Sequence, residues 1–221
     1  MDKIKTTLII YDCDGVLIDS REANRAFYND ILAHFGLPLL TEEQLDYVQV
    51  STSGQAVDLL FTDTPWKDAA QAYQLTLDNE PYIARLRLMP HVRGVLAALR
   101  PHCRTAVATN RGRSLSPILE HFHLNGLLDY TVSSYDVAIP KPHPECLFKV
   151  LDYFQAPPQA ALYIGDAEVD RLVAGRAGVP FCAYQNPGLE ACFHLMDHLD
   201  LLRFLGIKTE KSVFFSPKTE N

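Results

Sequence analysis

Four short stretches of the chain carry residues suited to one kind of chemistry. Asp12-Cys13-Asp14-Gly15 ends an apolar, β-branched run over residues 7–11, and Thr109-Asn110-Arg111 ends another such run. Lys141-Pro142 precedes a helical pattern, and Gly165-Asp166-Ala167-Glu168-Val169-Asp170 closes a further apolar run. If the runs are parallel strands, the ligand site lies beyond their carboxyl ends, and these carboxylates, one hydroxyl and one lysine meet at a single rim. Two like charges about 4 Å apart repel by about 4 kcal/mol at an effective dielectric near 20. The cluster therefore demands a cation. Lys141 is one, and a set of oxygen donors with little nitrogen or sulfur favours Mg²⁺ over zinc as the other.

Roles follow from position and charge. Residues two apart on an extended segment point the same way, so Asp12 and Asp14 can face one substrate while Cys13 packs beneath the strand. Asp12 is the candidate nucleophile, since its attack on phosphorus gives an acyl phosphate that water can cleave. Asp14, held near other negative charge, is expected to keep a proton for the leaving oxygen and later to take one from water. Thr109 offers a hydroxyl and Asn110 a backbone N–H to the phosphoryl oxygens, and Lys141 offsets charge there. Asp166 is the natural third metal ligand, and Asp170 is placed to orient Lys141 or metal-bound water.

The elements that must hold these groups can be read from periodicity. Residues 19–88 look almost wholly helical. Asp19 with Glu22 and Thr41 with Gln44 have capping-box spacing, Thr64-Pro65 reads as an N-cap with proline at the first helical position, and Pro81 should break or kink the helical pattern around it. Beyond Met89 helices alternate with short apolar strands near residues 105–109, 130–133, 161–164 and 179–183. That alternation argues for an α/β fold with a parallel sheet covered on both faces. The expected division is a Rossmann-like core from residues 1–18 and 89–207, a helical insertion over 19–88 and a tail over 208–221.

With 221 residues, 48% of them hydrophobic, the chain can build one substantial core plus a small module. A formal net charge of −7 with scattered basic residues offers nucleic acid no footprint. Five cysteines without a CxxC pair suit reduced thiols. The apolar run near the amino terminus is too short for a signal sequence and no stretch reaches membrane-spanning length, so the expectation is a cytoplasmic monomer or homodimer without a membrane partner.

The motifs DCDGVLIDS (residues 12–20), Thr109-Asn110, KPHPE (residues 141–145) and GDAEVD (residues 165–170), in this order, resemble those of the haloacid dehalogenase superfamily of aspartate-nucleophile phosphohydrolases. The resemblance implies a Rossmann-like core and a helical cap of the phosphoglycolate phosphatase and β-phosphoglucomutase type. It also implies Mg²⁺ held by Asp12, the backbone carbonyl of Asp14, and Asp166. Three positions depart from the pattern. Ala167 stands where relatives carry Ser or Thr, His91 stands where Gly often follows the proline at the cap exit, and Glu168 adds a carboxylate that could reach the metal or its water.

Specificity should lie in the cap, where Ser53 and Gly54 either face a small polar substrate or belong to an ordinary helix start. Arg85 and Arg87 are near the return to the core, and hinges are expected at residues 15–19 and 87–90. Asp19 reads as a helix cap and the pair His121 and His123 as a solvated helix end. The leading functional expectation is hydrolysis of a small phosphorylated metabolite. An intramolecular phosphotransferase and a silent phosphate-binding module are the alternatives, and a metal-free dehalogenase would have no use for Asp14 and Asp166.

Overall fold

The alternation of side chains along each strand explains how one sheet can be buried on both faces. In β1 (Leu8–Tyr11) every residue is buried. Ile9 and Tyr11 join one apolar cluster, while Leu8 and Ile10 join another on the opposite face. The same division recurs in β4 (Arg104–Ala108), where Val107 belongs to the first cluster and Ala106 and Ala108 to the second, and in β6 (Ala161–Gly165), where Leu162 and Ile164 oppose Ala161 and Tyr163.

The computed structural model describes residues 6–208. Its sheet has six parallel strands in the order β5-β4-β1-β6-β7-β8, with β5 at Tyr130–Val132, β7 at Phe181–Tyr184 and β8 at Phe193–Leu195. Helices α6 (Val92–Leu99), α7 (Leu115–His121) and α10 (His198–Leu205) cover one face. Helices α8 (Glu145–Phe154) and α9 (Glu168–Ala177) cover the other. The chain leaves central β1, returns through β4 on one side and later through β6 on the other. Such a reversal opens a crevice beyond the carboxyl ends of the three strands.

Between β1 and β4 the chain forms a two-stranded ribbon, β2 (Ile18–Asp19) against β3 (Arg87–Leu88), and five helices lie between its strands. These are α1 (Arg21–His34), α2 (Glu42–Val50), α3 (Ser53–Leu60), α4 (Lys67–Thr76) and α5 (Glu80–Ile83), and α1 to α4 bury a separate cluster around Ile31, Leu45, Val57 and Phe61. The Thr41 and Gln44 capping box forms as its spacing predicts. A second, unforeseen box joins Thr52 and Gln55, which puts Ser53 at the first position inside α3 rather than at its cap.

Three local expectations fail. Asp19 pairs with Arg87 in the ribbon, so Ser20 takes the cap position of α1, without a side-chain capping bond, and Asp19 only accepts from the Arg21 N–H at 3.3 Å. Thr64 receives the Trp66 N–H at 3.2 Å in a turn, which delays α4 to Lys67. Pro81 lies in the first turn of α5 and opens that helix instead of breaking one, because its missing N–H falls where no intrahelical partner exists. The expected tail, apart from Lys208, lies outside the described residues.

His91 adopts φ +64°, the left-handed conformation that favours glycine, and its Nδ1 lies 2.8 Å from Asp197 Oδ2. The left-handed backbone costs about 1–2 kcal/mol at a residue other than glycine, and the contact with partly exposed Asp197 returns only part of it.

The loop after β4 fastens the sheet to the helical segment. Asn110 Nδ2 donates to Val50 O at 2.9 Å. The Arg113 guanidinium donates to Gln74 O, Leu75 O and Leu77 O at 2.9, 2.5 and 2.7 Å, placing a cation on the carboxyl-terminal carbonyls of α4. Arg113→Ala should lower the unfolding free energy by about 1–2 kcal/mol, measured by urea denaturation, and should speed amide exchange in α4 more than in the sheet.

Candidate active site

Asp12 follows β1 directly, and its backbone N–H donates to Ile164 O at 2.8 Å, so the sheet ladder itself fixes where the carboxylate begins. Lys141 reaches it from the segment before α8. The Lys141 ammonium, almost fully buried, donates to Asp12 Oδ1 at 2.8 Å, to Asp170 Oδ1 at 2.7 Å and to the Tyr163 hydroxyl at 3.0 Å. Tyr163 in turn lies 2.9 Å from Asp170 Oδ1 and 3.1 Å from Ala108 O. Asp170 Oδ2 accepts the backbone N–H groups of Asp166 and Ala167, each at 3.2 Å. Residues from β4, β6 and α9, and from the segments after β1 and before α8, thus share one buried polar network.

Oxygen atoms from Asp12, Asp166 and Asp170 lie within 4.8 Å of one another, a spacing one hard cation could bridge. Asp170 is already engaged by Lys141, Tyr163 and two N–H groups, whereas no donor among the described residues reaches the Asp166 carboxylate. Asp12 and Asp166 are therefore the acids left open to a metal. Gly15 permits this approach. It sits at φ +73°, and a Cβ there would stand 2.1 Å from Asp166 Oδ2.

The electrostatics carry the same signature. Burial pushes the Asp12 carboxyl up to about 7, against the pull of Lys141 and with help from Asp170 and Asp14. Burial also pushes Asp166 up to about 8, and the negative charges of Asp170 and Asp12 add to it. Burial disfavours the Lys141 ammonium, yet Asp12 and Asp170 outweigh that effect and hold it above the ordinary lysine range. One ammonium among three carboxylates leaves negative charge uncompensated, a state that buried groups resist by binding a proton or a cation.

Asp14 stands near like charge as expected, since its charge adds to the raised proton affinity of Asp12 and Asp166, and it also has a cation that the sequence did not announce: Arg111 Nε donates to Oδ2 at 2.9 Å and Arg111 Nη2 to Oδ1, with both side chains largely buried. Arg111 also donates to Ser114 Oγ at 3.2 Å and Asn24 Oδ1 at 3.3 Å. Removing one partner of such a buried pair costs about 3–5 kcal/mol, because the other charge is stranded. Arg111 stands directly beside the Thr109-Asn110 motif, and its sequence position was the available signal for its importance. Its partner, 97 residues away, gave none.

The other expected residues divide. Thr109 lines the small cavity with Asp12, Asp14, Lys141 and Asp166, and its hydroxyl accepts the Arg111 N–H at 3.1 Å. The Asn110 amide is structural, holding Val50 O and both the N–H and carbonyl of Lys141. Ser53 lines an adjoining cavity of about 80 Å³ between the helical segment and the core. Gly54 does not line it, and its carbonyl accepts from Gln71. Glu168 stays outside the cluster, held by Arg171 one turn away at 2.6 and 2.8 Å. Cys13 is buried in the core, and Arg85, Arg87, His121 and His123 are not. Tyr163 was missed, although a tyrosine inside a wholly buried strand needs a partner for its hydroxyl. Asn186, which donates to Asp166 O at 2.8 Å, had no sequence signal.

Two outcomes test this electrostatic picture. Lys141→Met strands two buried acids and should destabilise the fold by about 3–5 kcal/mol in urea denaturation. The raised Asp166 holds a proton that the unfolded chain, with its ordinary carboxyl value near 4, releases. Its stabilising contribution is complete below about pH 4 and is lost as pH rises through about 8. In chelator, the stability of the wild type relative to Asp166→Asn should therefore decline from pH 5 to pH 8.5, and a constant difference would contradict the assignment.

Comparison with known proteins accords with this arrangement. Residues 9–184 match the family model described as haloacid dehalogenase-like hydrolase. A protein of Caldanaerobacter subterraneus subsp. tengcongensis with the provisional name pyrophosphatase PpaX is 30% identical, the match covering 80% of each chain. Phosphoglycolate phosphatase of Rhodobacter capsulatus is 29% identical over 90% of this chain and 95% of its own. Among solved structures, a HAD-superfamily hydrolase, subfamily IA, variant 1, from Geobacter sulfurreducens PCA superposes with a TM-score of 0.75 at 35% identity, covering 91% of this chain and 97% of that one. The chain belongs to the haloacid dehalogenase-like hydrolase family.

Proposed function

We propose that the protein is a Mg²⁺-dependent phosphatase that hydrolyses a small phosphorylated metabolite through an aspartyl-phosphate on Asp12. The observation that carries this reading is the buried Asp12 carboxylate, held by Lys141 through one oxygen only and crowded by Asp166. The relatives named for phosphoglycolate and pyrophosphate chemistry support it.

Lys141 fixes Oδ1 of Asp12, which leaves Oδ2 to attack phosphorus in line with the ester oxygen. The new bond is an acyl phosphate and the broken one is the ester P–O bond. Asp14, two residues on, takes up a proton from solvent as it turns from Arg111, passes it to the departing alcohol oxygen and then takes one from the water that cleaves the acyl phosphate. Thr109 Oγ1 accepts from Arg111 N, so its own proton is free for a phosphoryl oxygen. The Asn110 backbone N–H serves a second oxygen, while the Asn110 side chain keeps Lys141 and α2 in register. Asp170 and Tyr163 hold Lys141 between two acids so that its charge stays at the reacting group. Bound Mg²⁺, held by Asp12, Asp166 and the Asp14 carbonyl, would offset charge on the phosphoryl oxygens.

The helical segment over residues 19–88 acts in this reading as a lid over the crevice, turning on the stretches at 15–19 and 87–90. Closure excludes water from the leaving group, and opening releases product. The protein acts on free small molecules. No described helix is long and apolar enough to cross a membrane.

Asp12→Asn should lower Mg²⁺-dependent release of phosphate from p-nitrophenyl phosphate at least about 10³-fold, assayed by p-nitrophenolate absorbance. Turnover within tenfold of wild type would refute Asp12 as the nucleophile.

A further inference from the structure

The cavity of about 40 Å³ that holds Asp12, Thr109, Lys141 and Asp166 is reached from the helical segment by three consecutive residues, Gln49, Val50 and Ser51, at the carboxyl end of α2. Two of them have nothing to offer an anion. The Val50 carbonyl accepts from Asn110 Nδ2 at 2.9 Å, and the Ser51 hydroxyl donates to Tyr47 O at 2.8 Å. The carboxyl end of a helix also carries partial negative charge, so this wall repels a phosphoryl group unless a side chain supplies a donor.

Gln49 has that donor, and Arg111 decides which way it faces. A primary amide can present either its oxygen or its nitrogen, whereas a guanidinium only donates. Arg111 Nη2 lies 3.3 Å from the Asn24 amide, which must therefore turn Oδ1 to Arg111 and Nδ2 to its other neighbours. Asn24 Nδ2 then donates to Gln49 at 2.5 Å, so Gln49 turns Oε1 to Asn24. Gln49 Nε2 keeps both of its protons, and no acceptor among the described residues takes either. Gln49 lines this cavity and the larger one beneath the helical segment, as Asp14, Ser51, Asn110 and Arg111 also do. Its unspent N–H groups belong to the wall where the two cavities meet.

We infer that Gln49 is a phosphoryl-binding residue, its Nε2 donating to the phosphoryl oxygen turned away from Lys141 and Thr109. The inference rests on the phosphatase reading and adds to that site a residue carried by the helical segment. A hydrogen bond from a neutral amide to a charged oxygen is of the stronger kind, and here it also offsets the partial charge at the end of α2. Affinity for the phosphoryl group then depends on α2 as well as on the strand ends, whatever alcohol the phosphate is esterified to.

Two substitutions of similar size separate contact from its alternatives. Gln49→Glu still accepts from Asn24 but has lost the N–H groups, and Gln49→Met has lost them without adding charge. Calorimetric titration of inorganic phosphate into the full-length protein with Mg²⁺ at pH 7.5 reads the contact without turnover. Gln49→Met should weaken phosphate binding by about 10- to 100-fold, the range for a hydrogen bond to a charged group, and Gln49→Glu by at least as much. The KM for p-nitrophenyl phosphate should rise by the same factors, and it decides the matter where phosphate binds too weakly for calorimetry. Gln49→Glu within threefold of wild type overturns the proposal, since Gln49 would then only tie α2 to Asn24. Gln49→Met within threefold of wild type also overturns it, because Gln49 would then stand near the phosphate without touching it. Either result leaves the phosphatase reading in place. Wild type that neither binds phosphate nor hydrolyses p-nitrophenyl phosphate removes that reading and this one with it.

Discussion

Carboxylates at the ends of β1 and β6 outnumber the one ammonium buried among them, and most of the surrounding architecture can be traced to that imbalance. Lys141 bridges Asp12 and Asp170 but cannot also serve Asp166, which lies within bridging distance of both. Burial raises the proton affinity of Asp12 and Asp166 because water is unavailable to solvate their charge. An arrangement so unfavourable in isolation is maintained by the ladder that fixes Asp12, by the N–H groups that hold Asp170, and by glycine at position 15. In the proposed reaction the same features that make the site costly would prepare it for a cation and a phosphoryl group.

A second ion pair stands beside the first and has a different character. Arg111 and Asp14 neutralise each other locally, and they do so where the sheet meets the helical segment. Asn110, Arg111 and Arg113, nearly consecutive on one loop, each reach that segment through a hydrogen bond. The loop beside the strand-end carboxylates is thereby tied to the helical segment.

Much of this was legible in the sequence. Short apolar strands between helical patterns specified a parallel α/β sheet, and the acids after the strands were convergent because every parallel strand ends on the same side. Lys141 and Asp170 meet as their order along the chain suggested. Features set by tertiary packing were not legible. Asp19 has the spacing of a cap, yet pairing with Arg87 draws it into a ribbon. Thr64 and Pro65 carry a helix-start signal that a tight turn absorbs. Strand β8 is three residues long at the sheet edge, and its weak pattern becomes a strand only by pairing with β7. The partner of Asp14 is likewise fixed by the approach of two strand ends, so local sequence implied the like charge around Asp14 and not the guanidinium that the fold adds.

Buried negative charge at these strand ends should be held in check by protons until a divalent cation binds. Calorimetric titration of Mg²⁺ into chelator-treated protein at pH 7, in two buffers of different ionisation enthalpy, measures this directly. The expected result is one bound ion per chain with net proton release, as the raised carboxyls of Asp12 and Asp166 lose their protons to the buffer when the metal binds. Absence of binding, or binding with no proton exchanged, would contradict it.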